Sequence, residues 1–82
     1  MDIIKQIEAI AEMIRPSLTI NLIKLLEATD ELIESATKIA KETNDFSEVE
    51  AHCLLRTAII DVMDERDSNL YDNYSRGMKV GA

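Results

Sequence analysis

The segment Ser47–Met63, SEVEAHCLLRTAIIDVM, opens like a capped helix and then turns apolar on too many sides for a small chain to cover alone. Ser47 with Glu50 three residues on has the capping-box spacing, in which each side chain satisfies a free main-chain N–H near the other. Phe46 is placed to staple onto Ala51. A helix is therefore expected from Glu48 to at least Arg66. Its polar residues, Glu50, Thr57, Asp61, Asp64, Glu65 and Ser68, share one strip. Ala51, Leu55, Ala58 and Val62 form a ridge, mostly of small residues, suited to close packing against a neighbouring helix of the same chain. His52, Arg56, Ile59, Met63, Leu70 and Tyr74 form a second face beside that ridge. Val49, Cys53 and Ile60 carry the apolar arc past half the circumference.

The upstream sequence supplies two more helices. Asp2 is placed as an N-cap, and Ile3, Ile7, Ile10 and Ile14 recur on one stripe opposite Lys5, Glu8 and Glu12. Arg15-Pro16 is expected to end this first helix, because proline disfavours helical backbone in the residue before it. A second, longer helix is expected from Ser17–Thr19 to about Thr43. Leu22, Leu25, Leu26, Leu32, Ile33, Ala36, Ile39 and Ala40, with Thr29, form its apolar stripe at heptad-like spacing. Lys24, Glu27, Glu31, Glu34 and Lys38 lie opposite, and Ile23 falls off the stripe. Asn44 tolerates the left-handed geometry that often ends a helix. The short connection makes an antiparallel hairpin with the helix that follows. Asp67-Ser68-Asn69 either breaks that last helix before a short turn through Tyr74 or is spanned by it.

The fold class is therefore all-α, with two long helices in a hairpin and a shorter N-terminal helix across them. Eighty-two residues correspond to one domain, here 1–76, with a frayed tail at 77–82. A chain this short buries only about 60% of its unfolded surface. The first helix, roughly 18 Å long, covers only part of a hairpin of ~35–40 Å. A homodimer that pairs two hairpins into a helical bundle covers the rest most simply.

The net charge is −7, so phosphate backbones and anionic lipid repel the chain at long range, and no direct nucleic-acid or membrane binding is expected. Cys53 has no intrachain partner, no cationic leader precedes an apolar run, and a cytoplasmic location is expected. Cys53 and His52 are adjacent, so on a helix they diverge by about 100° and make no nucleophile pair. No Gly-rich phosphate loop or CxxC occurs.

Two constellations could carry chemistry. His52 and Arg56, one turn apart, make a cationic spot suited to a carboxylate of a partner chain. Asp30-Glu31-x-x-Glu34 and Asp61-x-x-Asp64 place carboxylate pairs on two helices, as a magnesium clamp does. That spacing resembles the acidic signature of the MazG-like all-α nucleoside triphosphate pyrophosphohydrolases. The resemblance implies Mg²⁺ held by Glu31, Glu34, Asp61 and Asp64. Glu48, Glu50, Asp61, Asp64, Glu65, Asp67 and Asp72 also give the third helix a negative side like that of a nucleic-acid mimic that occupies a partner's basic groove.

The leading expectation is a small acidic protein-binding module, an adaptor, regulator or inhibitor, acting as a homodimer without catalysis or cofactor. His52, Arg56, Ile59, Met63, Leu70 and Tyr74 are the expected contact residues. The magnesium-dependent pyrophosphohydrolase and the nucleic-acid mimic are the alternatives.

Overall fold

The computed structural model describes residues 2–77, which form four helices and no strand. They are α1 (Ile3–Ile14), α2 (Thr19–Thr43), α3 (Ser47–Arg66) and α4 (Leu70–Ser75). The expected tail beyond Gly77 lies outside the described residues.

Local signals explain most boundaries. The Asp2 carboxylate accepts from the Ile4 N–H at 3.0 Å and caps α1, which stops before Arg15-Pro16. Asn44 takes the left-handed conformation at φ 62° and ends α2. The start of α3 departs from expectation. Asp45 accepts from the Ser47 N–H at 3.1 Å and the Ser47 hydroxyl at 2.5 Å. Ser47 is thereby drawn into the first turn, one residue earlier than expected. The Glu50 N–H bonds to the Phe46 carbonyl at 3.0 Å, and both Ser47 donors go to Asp45, so the Ser47–Glu50 capping box does not form. Phe46 and Ala51 are both exposed, so the staple does not bury them. The helix breaks after Arg66, where the Asp67 carboxylate accepts from the Asn69 N–H at 2.9 Å.

α3 is the central element, with α1, α2 and α4 all packed against it. The core joins Ala11 of α1, Leu22, Ile23 and Leu26 of α2, Ala58, Ile59, Val62 and Met63 of α3, and Leu70 of α4. Ile7, Ile10 and Ile14 pack against its edge, but Ile3 stays exposed. Ile23, off the expected stripe, is buried, because α2 is enclosed by α3 on one side and reached by α4 on another. Leu32 and Ile39, expected inside, remain half in water. Of the ridge on α3, Ala58 and Val62 are fully buried, Leu55 is half-buried and Ala51 is exposed.

Arginines fasten the ends. Arg66, closing α3, donates to the Arg15 carbonyl at 2.6 Å, to the Ser17 carbonyl, and to the Thr19 hydroxyl at 3.1 Å. Arg15 donates through Nε and Nη2 to both carboxylate oxygens of Glu65 at 3.0 Å, and also to Glu12. This two-pronged contact is the strong geometry for an arginine–carboxylate pair, and its hydrogen bonds hold the exposed Glu65 carboxyl below its ordinary pKa. The molecule is a slab of 41 × 29 × 16 Å.

Candidate functional site

Of the expected cationic spot on α3, Arg56 turns inward. Arg56 Nε donates to Asp30 Oδ1 on α2 at 2.7 Å, and Nη2 donates to the Tyr71 hydroxyl on α4 at 2.9 Å. Its guanidinium lies 5.6 Å from the centre of the Tyr71 ring, within range of a cation–π contact. The Tyr74 hydroxyl donates to Asp30 Oδ2 at 3.1 Å. Asp30 thus receives one hydrogen bond from α3 and one from α4, and joins three helices. The Asp30 bond first, then the Tyr71 bond, raises the Arg56 pKa above its ordinary value against the effect of burial. Burial first and the Asp30 bond second push the Tyr74 phenol up to about 12.

The six expected contact residues consequently divide. Ile59 and Met63 have no accessible surface and Leu70 only 5%, so the chain's own core contains them. Arg56 and Tyr74 are half-buried in the Asp30 network, and His52 is half-buried without being part of the core. Ile59, Met63 and Leu70 therefore pack within the chain, while His52, Arg56 and Tyr74 keep part of their surface open. α4 docks beside them, and apolar area is covered by whichever element lies nearest. Arg56 takes its carboxylate from the chain's own Asp30.

The four carboxylates of the magnesium resemblance are not brought together. Glu31 and Glu34 are exposed on the side of α2 turned from the core, while Asp61 and Asp64 line a cleft with α1. That cleft, about 970 Å³, is bordered by Lys5, Glu8, Glu12, Arg15 and Glu65 as well. Among the described residues no group of three or more His, Cys, Asp or Glu side chains is placed to hold a metal ion. These donors do not fit one shared magnesium ion. The seven acidic residues of the mimic reading are all exposed.

The open surface lies elsewhere. Leu18 (68% exposed), Leu32 (49%), Ile39 (56%) and Phe46 (43%) stand seven or fourteen residues apart, and half-buried Leu25 completes the series. Seven residues fall within about 20° of two full helical turns, so Leu25, Leu32 and Ile39 form one column along α2. Asp30, bonded to α4, lies roughly 160° around the helix from Leu32 at 3.6 residues per turn. The flank of α2 away from α4 is therefore the bare one. The recurrence at every seventh position is legible in the sequence. Its separation from the inner stripe at Leu22, Leu26 and Thr29 is not, because both belong to one broad apolar arc.

Among the described residues no helix is long and apolar enough to cross a membrane. No protein-family model, curated protein or solved structure matches the chain.

Proposed function

We propose that this protein is a small acidic protein-binding module that acts as a homodimer, without catalysis, in the cytoplasm. In this reading α2 and α3 form an antiparallel hairpin, and two such hairpins make a helical bundle. The observation that carries the reading is the exposed column on α2. Contiguous apolar surface on a small chain marks a place where another protein belongs, whereas scattered single residues do not. Its regular spacing along one helix supports a helical partner surface.

Light scattering on the purified chain tests the assembly. A mass of twice 9.2 kDa is expected. A single-chain mass at high micromolar concentration removes the homodimer. A thermal melt with millimolar magnesium tests the catalytic alternative. A rise in melting temperature that Glu34→Gln abolishes favours the pyrophosphohydrolase over the binding module.

A further inference from the structure

We infer that the bare flank of α2 receives the same flank of a second copy, with the two α2 helices antiparallel. This rests on the homodimer reading and assigns its contact surface and direction. Three features of the flank fit such a pairing.

The first is size alternation. Between Leu25, Leu32 and Ile39 lie exposed Ala28 and Ser35 on the same side of the helix. In an antiparallel pair, Leu32 meets Ser35 of the second copy while Ile39 meets Ala28, and the two-fold axis repeats both contacts. Large side chains then fill the space over small ones, as close packing requires. A parallel, in-register pair instead sets Leu32 on Leu32 and Ser35 on Ser35, which crowds one layer and leaves a void in the next.

The second is charge. Glu31 and Lys38 are exposed along one rim of the column, on the side away from α3. In the same antiparallel register, Glu31 lies opposite Lys38 of the second copy, and Lys38 opposite its Glu31. Charges at such flanking positions select the direction of pairing. A parallel pair sets this rim against the positions of Thr29 and Ala36, which are uncharged and already buried within their own chain.

The third is shape. The slab is only 16 Å thick, and α4 lies toward the opposite flank of α2. Leu32 and Ile39, with exposed Ala28 and Ser35 between and beside them, are thus open to a second α2, whose 25 residues extend about 37 Å.

A charge-swap series read by sedimentation equilibrium tests the pairing. Lys38→Glu places two carboxylates opposite each other at both symmetric contacts, and about a tenfold weaker dimer is expected. Glu31→Lys alone weakens it similarly, and the double variant Glu31→Lys/Lys38→Glu restores it. Leu32→Glu dissociates the dimer. These residues are exposed, so unchanged circular dichroism is expected for each. A wild-type dimer that persists in Leu32→Glu and Lys38→Glu overturns this surface and leaves the homodimer standing. A dimer weakened by both single swaps but not rescued by the double swap overturns the antiparallel direction. A monomeric wild type overturns the homodimer itself, and this surface with it.

Discussion

Arg56 and Asp30 hold each other at 2.7 Å inside one chain, across α2 and α3. Each is about one-third exposed, so the pair is partly screened by water. Its importance lies in what surrounds it, since the same carboxylate also receives the Tyr74 hydroxyl and the same guanidinium donates to Tyr71. α4 is fixed to the rest of the fold through this network and through buried Leu70. Asp30→Ala removes the acceptor for two donors, and a loss of roughly 1–3 kcal/mol in urea unfolding is expected. The double variant with Arg56→Met should lose less than the sum of the singles, as coupled groups do. Additive losses would show that the two residues act independently.

Tyr74 links stability to alkaline pH. Its folded pKa is raised from 10.0 to about 12. The fold therefore favours the neutral phenol, and this contribution is complete below pH 10 and lost as the pH climbs through the folded value. Stability should fall between those limits, and Tyr74→Phe should flatten that part of the curve. An equal slope in the variant would assign the loss to other groups.

Two apolar-to-acid changes should part company. Met63→Glu buries an unpaired carboxylate at a position with no accessible surface. Burying a charge without a partner costs several kcal/mol, so loss of cooperative melting is expected. Leu32→Glu adds a carboxylate to a half-exposed site and should melt as a folded chain. Similar melts for both would contradict the burial pattern described.

Asn44 tests the α2–α3 connection. At φ 62°, Asn44→Gly should keep or slightly raise stability, whereas Asn44→Ala should cost about 1 kcal/mol, the strain of a β-carbon in left-handed backbone. The comparison is a chemical-denaturation midpoint for three proteins with equal slopes.

Arg66 ties the end of α3 to the α1–α2 connection through Arg15, Ser17 and Thr19. Arg66→Ala should speed amide hydrogen exchange in α1 and in the first turn of α2 before it affects the centre of α3. Uniform acceleration across the chain would mean that the tie is global rather than local.

The helices themselves were legible because their signals act within a turn or two. Asp2 caps, α1 stops ahead of Arg15-Pro16, Asn44 accepts the left-handed state, and the spacing of Ile7, Ile10 and Ile14 marks the inner side of α1. At Ser47 the local sequence offers two carboxylate partners. Two nearby oxygens, those of Asp45 and Glu50, competed for one short segment, and Asp45 took the hydrogen bonds.

The sequence by itself determined that this chain is helical, where α1 and α2 begin and end, and that its apolar surface is broader than one helix pair needs. Only the tertiary structure decided which part of that surface lies inside. Hydrophobic burial is non-directional, so a broad arc on α2 or α3 can be covered from either flank. The break after Arg66 lets α4 fold back over Asp30 and Arg56. Ile59, Met63 and Leu70 lie in the core, while Leu32 and Ile39 remain half in water. A six-residue helix, too short to be stable alone, is thus held by its contacts with α2 and α3.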